Sequence, residues 1–109
     1  MRKIRCSTRR RDTVSVIEVQ GELTARTQGQ LHGAVLGEQL RGATEVVLDL
    51  TRVRYFDSVG MTGVLGVQRL GRVHGCTVHL RGLEEAASRL LQLEDLVPDA
   101  ATAPGPHSA

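Results

Sequence analysis

The stretch from residue 44 to residue 73 constrains the fold most, because an apolar strand leads within a few residues into a helix. Residues 45–50 predict a largely buried strand through four apolar side chains, Val46, Val47, Leu48 and Leu50. Residues 59–73 are rich in glycine and valine and predict a helix. Asp57 and Ser58 stand directly before it. A strand that passes into a helix in this way is typical of α/β folds.

The rest of the chain continues the alternation of strands and helices. The turn Arg10-Arg11-Asp12 joins the first two strands, and Gly42 ends the first helix. Further strands are predicted at 3–8, 13–20 and 76–81, a helix from a cap at Thr24 or Thr27 to about Leu40, a helix at 84–92, and a short last strand at 93–97. The pattern predicts an α/β fold, with helices packed on a mixed sheet of about four to five strands.

Length and composition divide the chain into a domain and a tail. A chain of 109 residues is long enough for one hydrophobic core but not for two. The final run, PDAATAPGPHSA, has the composition of a disordered segment. We therefore expect a single domain over residues 1–98 and a disordered C-terminal tail over 99–109.

Three glycines recur at every fourth position of the predicted first helix: Gly29, Gly33 and Gly37. Such a repeat can mark a dimerising membrane helix, but Glu38 and Arg41 make this helix too polar for that. The repeat instead predicts that the helix packs closely against the sheet.

The net charge of +2 is unevenly distributed. Residues 1–11 carry six basic side chains and no acidic one, whereas the remainder carries eight basic and twelve acidic side chains. Tyr55 and Phe56 are the only aromatic residues, which favours a solvated strand over a nucleic-acid surface. No apolar run of membrane length or secretion signal occurs, so we expect a cytoplasmic protein with Cys6 and Cys76 as free thiols.

The predicted helix after Ser58 has two stripes of side chains, given about 100° of rotation per residue. One stripe is small and apolar and suits close packing on a sheet: Gly60, Val64, Val67 and Gly71. The second stripe lies about 100° round the helix axis and carries Ser58, Met61, Leu65 and Arg72. Met61 and Leu65 either wrap the edge of the core or form, with Arg72, a protein-docking surface that ends at Ser58.

Ser58 itself has two interpretations. Asp57 and Ser58 are both common N-cap residues, so helix capping alone accounts for them. A hydroxyl at this position also lies among unsatisfied N–H groups at the positive end of the helix dipole. Such a site favours a phosphate, either bound or attached to the serine.

Other chemistries find little support in the sequence. The run from Phe56 to Gly60 lacks the first glycine of a hydrolase nucleophile elbow, and no histidine has the spacing of a serine's base. Cys76 and His79 fall on opposite faces of a predicted strand, which argues against a shared metal. No phosphate-binding loop of the ATPase type is present. We therefore expect a protein that is not an enzyme and needs no metal or cofactor.

The run VVLDLTRVRYFDSVGMTGVLGVQRL resembles the core of the STAS domain, a family named for sulfate transporters and anti-sigma factor antagonists. The matching pieces are the VVLDL strand, the aromatic pair, the Asp-Ser-x-Gly turn and the small-residue helix. Upstream, VIEVQGEL looks like the family's second strand and turn. Downstream, CTVHLRGLEEAASRLLQLEDL looks like its fourth strand and last helix. The resemblance covers roughly residues 3–98.

The resemblance implies a stand-alone bacterial anti-sigma factor antagonist, a non-enzymatic switch in transcription regulation by partner switching. In such a pathway the domain binds an anti-sigma factor that is also a serine kinase, and thereby frees a sigma factor. Phosphorylation of the serine in Asp-Ser-x-Gly disables this binding, and a phosphatase restores it. Here that serine is Ser58, and its expected neighbours are Asp57, Thr24 and Gly60.

One position departs from the family's pattern. The phosphorylatable members usually have an acidic residue after the Gly-Glu-Leu turn, and Thr24 stands there in this chain. The missing carboxylate predicts slow phosphorylation of Ser58. It also keeps open a second interpretation, a non-phosphorylated docking subunit or scaffold of a transporter or stress-sensing complex, or one that binds a small ligand. Nucleic-acid binding through the basic N-terminus is a third.

Overall fold

The computed structural model describes residues 3–85 of the chain. The helix predicted at 84–92 begins within this range, where residues 83–85 are helical, and its remainder lies outside. The predicted strand at 93–97 and the tail at 99–109 also lie outside the described residues.

Strands and helices alternate as the sequence predicts. The described elements are β1 (Ile4–Arg11), β2 (Val14–Leu23), α1 (Gln28–Leu40), β3 (Glu45–Phe56), α2 (Ser58–Val73) and β4 (Thr77–Arg81). The four strands form one sheet in the order β1-β2-β3-β4, with β1 antiparallel to β2 and the other neighbours parallel. The predicted α/β fold with a mixed sheet is confirmed.

The turn of the β1–β2 hairpin lies slightly later than predicted. Arg11 pairs with Val14, so Arg10 and Arg11 belong to β1 and the loop is the dipeptide Asp12-Thr13. Asp12 has φ of 57°. Two-residue hairpin loops need a positive φ, and aspartate tolerates this conformation better than most residues do.

Both helices contribute to one core on a single face of the sheet. Leu31 and Val35 of α1 and Val64 and Val67 of α2 belong to the same buried cluster, and the two helices contact each other. The strands contribute alternate residues to this core, including Ile17, Val19, Val46 and Leu48. The intervening side chains lie on the opposite, open face of the sheet, because successive strand residues point to opposite sides.

β3 continues past the predicted end at residue 50 to Phe56. Compared with the paired stretch of β2, β3 has one extra residue between Asp49 and Arg52 and a second between Val53 and Tyr55. Each extra residue forms a β-bulge. The buried residues at the end of the strand are therefore spaced by three rather than two: Leu50, Val53 and Phe56.

The glycine repeat of α1 does not pack against the sheet, so that prediction was wrong. A Cβ atom would meet no other residue within 4 Å at any of its three positions, Gly29, Gly33 and Gly37. The helix packs through Leu31 and Val35, whereas Leu36 is 52% exposed. No helix among the described residues has both the length and the apolar character that crossing a membrane requires.

A buried carboxylate joins the C-terminal end of α1 to the hairpin. Glu38 is 4% exposed and accepts hydrogen bonds from Ser15 Oγ at 2.6 Å and from Arg41 Nη1 at 3.0 Å. Arg10 Nη1 lies 3.8 Å from the same carboxylate, and Arg10 Nη2 donates to the carbonyl of Arg41 at 2.7 Å. A buried charge is costly unless it is paired and hydrogen-bonded, and these contacts satisfy Glu38.

Candidate functional site

Asp57 caps the helix that begins at Ser58. Its backbone is extended, with φ of −105° and ψ of 176°, and its Oδ1 accepts a hydrogen bond from the N–H of Gly60 at 2.8 Å. Its carbonyl accepts the N–H of Met61 at 2.9 Å, which starts the helical ladder. Asp57 thus satisfies one of the helix's free N–H groups and has the geometry of an N-cap residue.

Ser58 is the first residue of α2 and is exposed. Its carbonyl accepts a hydrogen bond from Thr62 Oγ1 at 2.9 Å, while its hydroxyl has no hydrogen-bond partner within residues 3–85. Because Asp57 provides the cap, none of the described residues needs the serine hydroxyl as a hydrogen-bond partner. It lies at the positive end of the helix dipole, where a negative group is favoured.

Gly60 allows the first turn of α2 to approach the end of β2. A Cβ atom at this position would collide with the carbonyl oxygen of Leu23. The N–H of Asp57 is 3.4 Å from the same oxygen. The turn that follows β2 therefore lies beside the start of α2, as the expected grouping of Thr24 with Asp57 and Gly60 requires.

The hydroxyls of Thr24 and Thr27 are used within that turn. The two residues are only 3% and 2% exposed. Thr27 Oγ1 accepts the N–H of Thr24 at 2.9 Å and donates to the carbonyl of Glu22 at 2.6 Å. Thr24 Oγ1 accepts the N–H of Arg26 at 3.2 Å. Thr27 occupies the N-cap position of α1 without capping it, because its hydroxyl serves the preceding turn.

A small pocket lies between the two junctions. Its lining residues are Thr24, Ala25, Arg26 and Asp57. Arg26 brings a positive charge to this end of the sheet, although no motif in the sequence points to it. The only signal was its position in the loop after β2, beside Thr24.

The buried stripe of α2 lies as predicted, since Gly60, Val64, Val67 and Gly71 are all buried. The second stripe divides. Met61 is half-buried and packs against the core with part of its side chain. Leu65 is 42% exposed, and Ser58 and Arg72 are exposed. Met61 thus wraps the edge of the core, while Leu65 and Arg72 remain accessible beside it.

The two cysteines and His79 do not form a reactive or metal-binding group among the described residues. Burial raises the pKa of both the Cys6 and the Cys76 thiol, so neither is a thiolate nucleophile at neutral pH. Cys76 is buried, and the exposed His79 lies with its Nε2 3.1 Å from Glu45 Oε1 across the sheet. No group of three or more potential metal ligands occurs within residues 3–85.

Several solved structures share this fold. An anti-sigma factor antagonist from Mycobacterium paratuberculosis is 27% identical with a TM-score of 0.61, and the match covers 93% of each chain. SpoIIAA in its unphosphorylated form is 23% identical with a TM-score of 0.57, over 70% of this chain and 71% of the other. SpoIIAA of Bacillus in its phosphorylated form is 22% identical with a TM-score of 0.55, over 68% of each. At these last two identities the likeness shows the fold alone.

A further match is to a much longer protein. Mglu is 25% identical with a TM-score of 0.61, and the match covers 68% of this chain but only 18% of the Mglu chain. The family model described as "Mlab, STAS domain" matches residues 6–97, which is most of the sequence. The chain therefore belongs to the STAS domain family.

Proposed function

We propose that the chain is an anti-sigma factor antagonist of a partner-switching pathway and acts by binding rather than catalysis. Its docking surface, called here the Ser58 surface, consists of Ser58, Met61, Leu65 and Arg72. The partner is an anti-sigma factor that is also a serine kinase, and phosphorylation of Ser58 ends the complex. The observation that carries the proposal is the free, exposed Ser58 hydroxyl at the start of α2, beside an exposed Leu65.

Two relatives support this proposal. The Mycobacterium protein that matches over 93% of both chains is an anti-sigma factor antagonist. SpoIIAA, with the same fold, is an anti-sigma factor antagonist with unphosphorylated and phosphorylated forms. An exposed apolar residue with a polar rim also suits a protein interface.

The local physics explains how a phosphate would end docking without unfolding the domain. A phosphate on Ser58 adds about two negative charges next to Asp57. The N-terminal N–H groups of α2 stabilise that charge, and Arg26 beside Asp57 is a candidate partner for it. The fold therefore tolerates the phosphate. The interface with the partner does not tolerate it. When the partner covers Leu65, the phosphate would have to lose its water or would be repelled by negative charge on the partner.

Charge substitution at Ser58 tests the proposal. We expect Ser58→Asp to weaken the complex with the cognate anti-sigma factor kinase by more than about tenfold, or about 1.4 kcal/mol, in calorimetric titration. Ser58→Ala keeps the affinity but abolishes phosphate transfer from labelled ATP. Thr13→Asp, which adds a similar charge in the exposed hairpin loop at the opposite end of the sheet, is the matched control and should bind like wild type. Equal affinity of Ser58→Asp and wild type would refute the switch.

A second candidate function rests on Thr24. Where a carboxylate is expected, this chain has a buried threonine whose hydroxyl is engaged by the N–H of Arg26. That arrangement favours a docking subunit that is never phosphorylated, within a transporter or stress-sensing complex.

Partner capture with mass spectrometry separates the two functions. A complex that Leu65→Asp abolishes, with no phosphate on Ser58 in any growth condition, supports the docking subunit. Phosphate on Ser58 together with a co-purifying kinase supports the switch. Leu70→Asp, the same exchange at a leucine that is 50% exposed and lies about 140° round the axis of α2 from Leu65, is the control for Leu65→Asp.

A further inference from the structure

Among the strands that the structure describes, β1 forms one edge of the sheet. It is the first strand of the sheet, and no strand among the described residues pairs with its other side. Glu22 N donates to the carbonyl of Lys3 at 2.9 Å, and antiparallel pairs alternate between hydrogen-bonded and non-bonded. The register places Lys3 opposite Glu22, so Lys3 and every second residue after it form hydrogen bonds with β2. Within β1, these are the odd-numbered residues. The even-numbered ones direct their backbone N–H and C=O groups outward: Ile4, Cys6, Thr8 and Arg10.

Three arginines of β1 lack acidic partners. Ile4 is buried on the helix side of the sheet, so Arg5, Arg9 and Arg11 lie on the open face. None of the three forms an ion pair within residues 3–85. Arginines of β3 and β4, in contrast, each have an acidic partner: Arg52 with Glu18 at 3.5 Å, Arg54 with Glu22 at 3.7 Å and Arg81 with Asp49 at 3.7 Å.

Basic side chains on an edge strand discourage pairing with a second copy, which would bring arginine against arginine. Other anionic occupants fit less well. Phe56 is buried and Tyr55 half-buried, so β1 has no aromatic platform for single-stranded nucleic acid. Within residues 3–85, the exposed large apolar residues that could enter a membrane lie on α1 and α2, at Leu36, Leu40, Val59, Leu65, Leu70 and Val73.

We propose that an extended acidic segment of a partner protein adds to β1 as a further strand. Its backbone pairs with the outward N–H and C=O groups of Cys6 and Thr8, and acidic side chains at alternate positions face Arg5 and Arg9. Strand addition provides affinity through main-chain hydrogen bonds and specificity through alternate side chains. Arg10 is not available to the segment, because its guanidinium bonds to the carbonyls of Asp12 and Arg41.

A designed peptide tests the charge requirement. The probe is fluorescein-labelled Glu-Thr-Glu-Thr-Glu-Thr-Glu-Thr-Glu, and binding to the full chain is followed by fluorescence anisotropy. We expect the double variant Arg5→Gln/Arg9→Gln to bind at least about tenfold more weakly, with an unchanged melting temperature. The control Arg26→Gln/Arg69→Gln removes two exposed arginines elsewhere and should bind within about twofold of wild type. Equal loss in both double variants would overturn the proposal.

A modified peptide tests the strand pairing. N-methylation of the central Glu-Thr pair blocks one N–H on each edge of the peptide and keeps its charge. We expect at least about tenfold weaker binding, and at least about tenfold slower hydrogen exchange at the N–H groups of Cys6 and Thr8 when the unmodified peptide is bound. Equal binding of both peptides would show ordinary charge attraction and overturn the proposal. The proposal would also be overturned if duplex DNA or phosphatidylserine vesicles bound in a way that required Arg5 and Arg9 while the peptide did not bind.

Discussion

The junctions that follow β2 and β3, at each of which a parallel strand leads into a helix, use hydroxyl side chains in opposite ways. After β2, Thr24 and Thr27 are buried and their hydroxyls bond backbone groups of the turn. After β3, Asp57 caps the helix, and the hydroxyl of Ser58 is exposed and has no hydrogen-bond partner among residues 3–85. Both junctions lie at the same end of the sheet, yet only one offers a hydroxyl to solvent.

The difference shows what makes a helix-start hydroxyl available for modification. The backbone of a turn needs hydrogen-bond partners, and a serine or threonine often provides them. At β3–α2 the carboxylate of Asp57 fills that role, so Ser58 is released from it. At β2–α1 no side chain caps the helix, and the threonines are consumed by the turn. Whether such a hydroxyl is available for modification therefore depends on which neighbouring side chain caps the helix, as well as on the exposure of the hydroxyl itself.

The largest effect should come from Gly60, which holds the two junctions together. We expect Gly60→Ala to lower the free energy of unfolding by at least about 3 kcal/mol in urea denaturation, because its methyl group would collide with the carbonyl of Leu23. Gly66→Ala on the same helix is the control. It meets no atom within 4 Å and should raise stability by about 0.5–1 kcal/mol. Similar stability of the two variants would show that the junctions are not in contact.

Thr27 should be the next most sensitive position. Thr27→Val removes a buried hydroxyl and leaves the N–H of Thr24 and the carbonyl of Glu22 without that partner. We expect a loss of about 2 kcal/mol in thermal or urea unfolding. Thr62→Val removes an exposed hydroxyl of α2 and should cost less than about 0.5 kcal/mol. A smaller cost at Thr27 than at Thr62 would contradict the contrast between the junctions.

The assignment of the cap to Asp57 predicts a smaller, unequal pair of effects. Asp57→Ala should cost about 1 kcal/mol, because the N–H of Gly60 loses its acceptor. Ser58→Ala should change the unfolding free energy by less than about 0.5 kcal/mol, since its hydroxyl has no partner within residues 3–85. A larger loss of stability in Ser58→Ala than in Asp57→Ala would assign the cap to Ser58, and its hydroxyl would then not be available for modification.

The last expected effect is kinetic, is no larger than that of Asp57→Ala, and rests on the proposed switch. Thr24→Asp supplies the carboxylate that the turn lacks, and we expect a several-fold faster transfer of phosphate to Ser58 by the cognate kinase, or about 1 kcal/mol in the barrier. Thr24→Asn is the matched control, because its amide oxygen can also accept the N–H of Arg26 without adding charge. Equal rates for the two variants would show that the missing carboxylate does not limit transfer.

The order of strands and helices could be predicted because each element follows its own local periodicity. The buried stripe of α2 is an example, since four small or branched residues at helical spacing leave one way to pack. The true length of β3 could not be predicted in the same way. Its two bulges arise from pairing with β2, and they place Leu50, Val53 and Phe56 at a spacing that neither a regular strand nor a helix has.

The site was predictable in its residues but not in its orientations. Ser58 and Asp57 follow from the strand-to-helix pattern, whereas the inward direction of the Thr24 hydroxyl depends on hydrogen bonds within one turn. The role of Arg26 depends on the same turn, because it reaches the pocket only after β2 has been placed beside β3. The glycine repeat of α1 led to the wrong prediction of close packing on the sheet for a related reason. A repeat in the sequence does not reveal which side of a helix faces the sheet.

The two bulges of β3 make the number of residues before Ser58 more important than their identity. Thr51, Arg52 and Arg54 are exposed, so changes of residue type there should be tolerated. Loss of a single residue would instead turn the rest of the strand over, because side chains alternate between the two faces. Phe56 would leave the core, and α2 would begin at the wrong angle. Across natural relatives, insertions and deletions should therefore avoid this stretch and collect in the hairpin loop at Asp12.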